Sequence, residues 1–325
     1  MPRRRLARLR ARLAARIAPR AWATVQRPNP RRARPLPELR LFAVLGTWME
    51  ADVVGACVRN ARTQGCERVF LVDNASPDDT VAEAVAAGAE PVVSYGTARF
   101  EERMRADLMN GVVRQVSLAS GEPYVWWLYL DADEFPHGPG GRTIRELLAA
   151  LDRRFRVVGA HYYEHFPTAT PAYVPGTHPL DRMPLCRLRT YARCPAGHVK
   201  HPLQRFDRDG PEITAGPGFH SVHSRVPPFE PEAAILLHHF PFREEATTRA
   251  RLAAFCGPRP DAEARGAFQS GFEREAFGKP SAAMRRWEML DAIYGGSAAA
   301  NGLLAGCRPF AEQVAPADAR VARWY

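Results

Sequence analysis

Lysine, long apolar runs and paired cysteines are scarce or missing in this sequence, and the last two absences each argue against a class of protein. Lysine stands only at positions 200 and 279, so arginine carries nearly all of the positive charge. No run of about 18 apolar residues is present, as a transmembrane helix requires. Arginines also interrupt every stretch that could form the apolar part of a signal peptide. The six cysteines form no CxxC pair, which predicts reduced thiols and a cytoplasmic protein.

Much of the formal charge of +10 lies in the first 35 residues. This segment is a disordered tail, an amphipathic helix on the anionic inner face of the plasma membrane, or a nucleic-acid-binding arm, the last being the least favoured. The helical interpretation rests on apolar residues spaced by three and four, which are Leu6, Leu9, Leu13 and Ile17. Prolines between residues 28 and 37 predict a linker, so we expect the basic tail to occupy residues 1–38.

From about residue 40, short apolar runs alternate with helical stretches. The runs predict strands at 41–45, 68–72, 91–94, 124–130, 155–161, 185–191 and 235–239. The stretches between and after them predict helices at 51–64, 78–87, 99–119, 143–152, 244–255, 261–277 and 283–294. Ser76, Pro77 and the acids after them are typical of a helix start. Continuous β-branched and aromatic runs between helices favour an α/β fold with a parallel sheet covered on both faces.

Polar residues follow three of the predicted strands, at the edge where α/β sheets bind ligands. They are Thr47 and Glu50, Asp73 and Asn74, and Asp131, Asp133 and Glu134. Carboxylates at i and i+2 of an extended chain project to the same side and can share one hard divalent cation. An acidic turn alone is also common on protein surfaces, but residues 125–130 before this one are wholly apolar. Acids at the rim of a buried strand need a compensating cation, and Mg²⁺ or Mn²⁺ would also bridge to a diphosphate.

Three segments of the chain resemble the family 2-like glycosyltransferases of bacteria, in the subgroup whose acidic motif ends in Asp-Glu-Phe. They are residues 50–52, 65–80 and 127–135. The resemblance extends over roughly residues 40–255 and is strongest at 45–135. Thr47, Trp48 and Met49 stand where an Arg or Lys followed by Asn is common in that family, which leaves the first nucleotide contact open.

The resemblance implies a GT-A fold, in which a Rossmann-like, mostly parallel sheet is flanked by helices. It implies a catalytic domain at 39–260, with a nucleotide half at 39–135 and a less regular acceptor half at 136–260, before a helical extension at 261–325. The implied reaction moves a sugar, with inversion, from a nucleotide-diphospho-sugar to a hydroxyl of a glycan or lipid-linked acceptor, as in cell-surface polysaccharide synthesis. The implied cofactor is Mn²⁺ or Mg²⁺.

The same resemblance assigns roles to single residues. Asp131 and Asp133 are the paired metal acids, with Asp133 as the more direct ligand, and Asp73 contacts the nucleoside. A family lysine, a Gly-x-His segment and a His-x-Pro-x-Arg segment correspond to Lys200, to Gly218–His220 and to His238–Arg243. Thr47 and Asn74 are added because they follow the first two predicted strands, so the residues expected to bind the nucleotide-sugar are Thr47, Glu50, Asp73, Asn74, Asp131, Lys200 and Arg243.

Inverting transfer needs a base that takes the proton of the acceptor hydroxyl. Glu134, Asp181 and His220 are the candidates, and the sequence does not decide between them. Because His238 and His239 end an apolar strand, one of them faces inward. His239 is assigned to the metal, with a satisfied core histidine as the alternative.

Two further features have open interpretations. Lys200 suggests a phosphate contact, because a lysine kept in an arginine-rich chain offers a compact point charge, although chance retention is the alternative. Cys194, His198 and His201 lack the four paired ligands of a structural zinc site.

The sequence gives less support to two other functions. A nucleotidyltransferase shares the α/β layout and the metal acids, but it usually has a glycine-rich basic loop after the first strand, and none follows Leu45. A non-catalytic protein that binds sugars or nucleic acid would leave the acids behind the buried strand unexplained.

Overall fold

The computed structural model describes residues 22–25, 39–97, 101–167, 174–188, 199–226, 235–256, 282–295, 304 and 307–309. Its strands are β1 (Trp22–Val25), β2 (Leu41–Thr47), β3 (Arg68–Asp73), β4 (Glu90–Gly96), β5 (Tyr124–Asp131), β6 (Glu134–His137), β7 (Val157–His165), β8 (Leu185–Leu188), β9 (Val199–Asp207), β10 (Ile213–Ala215), β11 (Val222–Ser224), β12 (Ile235–His239) and β13 (Arg308–Pro309). Its helices are α1 (Val54–Thr63), α2 (Thr80–Ala86), α3 (Glu102–Ser120), α4 (Ile144–Ala150), α5 (Glu245–Cys256) and α6 (Ala282–Tyr294).

The described residues form two compact units. One lies within Met1–Ala160 and Val199–Leu236, and the other within His161–His198 and Leu237–Tyr325. Among the residues that the structure describes, no helix is both long and apolar enough to cross a membrane.

The first unit is built on a mixed sheet with the strand order β1-β4-β3-β2-β5-β9. Its four central strands are parallel, since β2 pairs in parallel with both β3 and β5, and β3 with β4. The strands at either side, β1 and β9, run antiparallel to their neighbours. Every residue of β2 is buried, as expected for a strand covered on both faces. The predicted α/β class, with a mostly parallel sheet flanked by helices, is confirmed.

Aromatic side chains from three adjacent strands form the centre of the core in this unit. The ring of Phe42 lies 5.9 Å from that of Phe70 and 5.4 Å from that of Trp127. Leu108, Met109 and other apolar residues of α3 belong to the same core cluster. The indole N–H of Trp127 donates to Ser117 Oγ at 2.8 Å, so the largest core side chain keeps its polar atom satisfied.

The second unit has its own apolar core. Phe166, Phe242, Trp287, Leu290 and Ile293 form a buried cluster. In this unit β8 pairs antiparallel with β7 and with β13.

Several sequence predictions need correction. Helix α2 begins at Thr80, later than expected, because Ser76 donates its hydroxyl to Asp73 and does not cap a helix. Strand β9 was missed, as was β1 inside the predicted tail, because neither has a continuous apolar run. Strand β7 runs four residues further than predicted, to His165. The predicted helices at 6–17 and 261–277 and the linker at 28–37 lie outside the described residues.

Candidate functional site

Three polar residues meet at one edge of the parallel sheet. In the strand register Thr47 pairs with Asp73, and Gly46, one residue before Thr47, pairs with Asp131. The ends of β3, β2 and β5 therefore place these side chains on three neighbouring strands at the same level. This is the carboxyl edge, at which α/β sheets bind ligands.

The carboxylate of Asp73 is held in a fixed orientation. Its Oδ1 accepts from Thr47 Oγ1 at 3.0 Å and from Ser76 Oγ at 2.6 Å, and its Oδ2 accepts from the backbone N–H of Ser76 at 2.9 Å. Ser76 Oγ also accepts from the N–H of Met49 at 3.0 Å. Asn74 joins this network through its N–H, which donates to the carbonyl of Thr47 at 3.0 Å. The loops after β2 and β3 are thus tied together around one buried acid.

Glu50 is buried at the start of the segment that leads into α1. Its N–H donates to Thr80 Oγ1 at 2.7 Å, and its carbonyl accepts from the N–H groups of Val53 and Val54. These bonds fix the backbone of Glu50 against the first residue of α2.

The acidic motif after β5 is held by two cations from elsewhere in the same unit. Arg105 on α3 forms an ion pair with Oδ1 of Asp131, and Lys200 on β9 lies 3.5 Å from its Oδ2. Lys200 also forms an ion pair with Glu134, whose side chain is fully buried. Glu102 extends the chain of alternating charges, because its Oε1 lies 2.5 Å from Arg105 Nη2.

These ion pairs change the proton affinities of their members. Burial alone would raise the pKa of Asp131, but Arg105 and Lys200 outweigh it and hold the pKa of this carboxyl below its ordinary value. Burial would lower the pKa of Lys200, yet the carboxylates of Glu134 and Asp131 hold it above its ordinary value. Asp131 and Lys200 therefore carry their full charges at neutral pH.

The acids of this cluster are enclosed to different degrees. Asp133 is 8% exposed and Glu134 is fully buried, whereas the side chain of Glu102 is 34% exposed. Carboxylates that are removed from water need compensating positive charge, which cationic side chains and a divalent cation can both supply.

The described residues contain no group of three or more His, Cys, Asp or Glu side chains arranged to hold a metal ion. This is compatible with Mg²⁺, which keeps several waters and is usually bound by one or two carboxylates together with phosphates of a substrate. Asp131 and Asp133 supply two such carboxylates.

The thiol of Cys57 on α1 is buried within electrostatic range of four of the acids. Burial raises the pKa of its thiol, and the charges of Glu134, Asp133, Glu50 and Asp131 raise it further. Its Sγ lies 3.5 Å from the carbonyl oxygen of Glu134. Glu50, predicted from a different strand end, is thus near the acids that follow β5.

The segment with His220 also reaches the cluster. It connects β10 to β11, and its Gly218 N–H donates to Glu102 Oε1 at 2.8 Å. The ring of Phe219 is fully buried, with Lys200 Nζ 5.5 Å and Arg105 Cζ 5.6 Å from its centroid. His220 follows directly and is exposed.

Backbone strain is concentrated around this edge. Among the residues that the structure describes, the non-glycine residues with positive φ are Met49, Ala75 and Phe219, at 55°, 48° and 58°. Each lies in a loop that carries residues of the site. Strain of this kind is common at functional sites.

The remaining candidates lie in the second unit. His238 is fully buried, and its Nδ1 lies 2.8 Å from Nε2 of His165, whose Nδ1 lies 2.7 Å from the carbonyl oxygen of Met183. His238 is therefore the inward-facing member of the pair, while His239 is half-buried beside the ring of Tyr162, 5.0 Å away.

Asp181 and Arg243 have different surroundings within that unit. Asp181 is exposed at the end of a short 3₁₀ turn. Arg243 is 3% exposed, and its guanidinium donates to the carbonyl of Phe240 at 2.8 Å. Residues Cys194 and His198 lie outside the described residues.

Sequence reasoning missed Arg105 and Phe219. One more arginine on an amphipathic helix does not stand out in an arginine-rich chain. A phenylalanine in a loop rich in glycine and proline carries no pattern at all.

No family model and no curated protein matches the chain. Among solved structures, it is similar to glucosyl-3-phosphoglycerate synthase from Mycobacterium tuberculosis in complex with Mn²⁺, UDP and glucosyl-3-phosphoglycerate, at 16% identity and a TM-score of 0.26, over 38% of this chain and 44% of that one. Mannosyl-3-phosphoglycerate synthase from Rubrobacter xylanophilus is 25% identical with a TM-score of 0.25, over 38% and 40% of the two chains. The chain thus spans less than half the length of these proteins, and TM-scores this low do not assign a function.

Proposed function

We propose that the protein is a metal-dependent glycosyltransferase of the GT-A type, which moves a sugar from a nucleotide-diphospho-sugar to a hydroxyl acceptor. The observation that carries this proposal is the group of acids after β5, with Asp133 and Glu134 buried, at the carboxyl edge of a parallel sheet that also carries the fixed carboxylate of Asp73. The resemblance of residues 45–135 to family 2-like glycosyltransferases supports the same function.

In this proposal Asp133 and Asp131 hold Mn²⁺ or Mg²⁺. The ion supplies neutralisation of the charge that develops on the leaving nucleoside diphosphate. Arg105 and Lys200 bind phosphate oxygens of the same donor, since both are buried cations that contact Asp131. His239 and Arg243 belong to the second unit, and their roles as a metal ligand and a phosphate contact remain predictions from the sequence.

The nucleoside binds at the neighbouring strand ends. Asp73 presents a carboxylate oriented by Thr47 and Ser76, which suits a hydrogen bond to a ribose hydroxyl or to the base. Asn74 and Glu50 border the same loops and complete this side of the donor site.

The three candidate bases differ in their surroundings. Glu134 is fully buried and ion-paired with Lys200, so it serves to hold that cation. His220 is exposed, next to the ring that contacts both cations, and is the candidate we favour within the first unit. Asp181 is exposed in the second unit and stays an alternative. Transfer with inversion to a glycan or lipid-linked acceptor is part of the proposal, as is contact of residues 1–35 with an anionic membrane.

A panel of sugar nucleotides tests the reaction. The wild-type protein is incubated with each donor and Mn²⁺, and released nucleoside diphosphate and pyrophosphate are both measured. We expect nucleoside diphosphate from at least one donor, and its loss in Asp133→Asn but not in Asp107→Asn, an exposed acid on α3. Release of pyrophosphate would instead indicate nucleotidyl transfer, and equal turnover by Asp133→Asn would contradict the proposal.

A further inference from the structure

The loop between β10 and β11 holds one phenylalanine in a strained conformation. The N–H of Gly216 donates to the carbonyl of Ser221 at 2.8 Å and closes the loop. Within it Gly218 and Phe219 both have positive φ, at 61° and 58°. A left-handed conformation costs an L-residue with a side chain roughly 1–2 kcal/mol, so surrounding contacts must maintain it at Phe219.

Those contacts come from α3 and β5. The side chain of Asn110 accepts from the N–H of Ala215 at 3.0 Å and donates to the carbonyl of the same residue at 2.9 Å. Tyr129 donates its hydroxyl to Asn110 at 2.8 Å, and its ring lies 5.5 Å from that of Phe219. Together with the bond from Gly218 to Glu102, they fix the loop to the elements that carry Arg105 and Asp131.

Phe219 and Asp131 share one property, because each contacts both cations of the site. Asp131 does so through its two carboxylate oxygens, and Phe219 through its ring, with both cations about equally far from the centroid. A carboxylate neutralises the cations that it holds. An aromatic ring attracts them without adding another negative charge to a cluster in which they already pair with Glu102, Asp131 and Glu134.

We propose that Phe219 is a positioning residue that holds Arg105 and Lys200 side by side, so that one anionic ligand can bind to both. The role of that ligand rests on the proposed function, whereas the placement of the cations does not. The strained loop is explained by this role, since it brings an aromatic face to the two cations that Asp131 also contacts.

The placement of the cations is measured by NMR without any ligand. The chain has two lysines, so a protein with isotope-labelled lysine gives two ammonium signals, and Lys279→Arg identifies the one from Lys200. We expect Phe219→Leu to move the Lys200 signal. Phe70→Leu removes a buried ring that contacts Arg68 in the same core, and it should leave the signal in place. An unmoved Lys200 signal in Phe219→Leu would overturn the proposal.

Binding of inorganic pyrophosphate in the presence of Mn²⁺ measures the consequence. We expect about tenfold weaker binding in Phe219→Leu and an unchanged constant in Phe70→Leu. A ring-fluorinated phenylalanine at position 219 keeps the shape and weakens the attraction of the face for cations, so it should also weaken binding. If both position-219 variants bind pyrophosphate as tightly as the wild-type protein does, the proposed role of the ring is overturned. If the wild-type protein does not bind pyrophosphate, the proposed function fails, and the NMR result still decides the placement of the cations.

Discussion

Lys200 Nζ lies 3.5 Å from Oδ2 of Asp131, although the two residues are far apart in the sequence. Strand register brings them together. Leu128 pairs with Leu203 in the antiparallel pair of β5 and β9, and three further steps along both strands place Asp131 opposite Lys200. The position of Asp131 relative to its compensating cation is thus set by one strand pairing.

Removal of this cation should destabilise the fold. Lys200→Met leaves Glu134, which is fully buried, without its ion pair. Breaking a buried pair from one side costs about 3–5 kcal/mol. Urea unfolding should show a loss of that size, and the double variant with Glu134→Gln should recover most of it. A loss below about 1 kcal/mol in Lys200→Met would contradict the burial of this pair.

Relief of backbone strain should stabilise the protein at Ala75. This residue is exposed and has a φ of 48°, which glycine adopts without strain. We expect Ala75→Gly to raise the free energy of unfolding by about 0.5–1 kcal/mol, after the entropy that glycine adds to the unfolded chain. Ala82→Gly is the matched control in α2, where glycine should lower stability by about 1 kcal/mol. Destabilisation by both substitutions would argue against the left-handed conformation at Ala75.

Stability should fall at alkaline pH through a buried thiol. Burial raises the pKa of Cys66 to about 12, from the ordinary value of 9.0 that holds in the unfolded chain. Between these values the folded chain keeps a proton that the unfolded chain has lost. The free energy of unfolding therefore falls with rising pH, by about 1.4 kcal/mol per pH unit from this group. The free energy of unfolding is measured with urea at several pH values between 9.5 and 10.5. Its decrease per pH unit should be smaller by that amount in Cys66→Ala than in the wild-type protein. An identical decrease in both proteins would contradict the burial of the thiol.

The central strands could be predicted because burial on both faces leaves a continuous apolar run. Residues 41–45, 68–72 and 124–130 all carry such runs, and each belongs to a strand of the sheet. The common position of the acids at the carboxyl ends of these strands could be predicted from the parallel order of the sheet. The predicted start of α2 at residue 78, with Ser76 as its cap, was two residues early, because Ser76 bonds to Asp73, a contact that depends on tertiary structure.

Strand β9 could not be predicted from an apolar pattern, because it carries side chains of the candidate site. It contains Lys200 and Gln204, which are buried polar residues, and a proline, where a core strand normally shows apolar residues. Lys200 is stable there only because the acids after β5 surround it. A buried network of charges breaks the apolar pattern of a core strand, so the strand that carries Lys200 is missed by that pattern.

Calorimetric titration with nucleoside diphosphates, with and without Mn²⁺, tests the central claim most directly. The wild-type protein and Asp133→Asn are each titrated with UDP, GDP, ADP and dTDP. The proposed donor site predicts that at least one of them binds the wild-type protein only with Mn²⁺, and that Asp133→Asn weakens this binding by about a hundredfold. Binding that needs no metal, or equal affinity in Asp133→Asn, would contradict the claim that the acids after β5 hold a metal ion for a nucleotide donor.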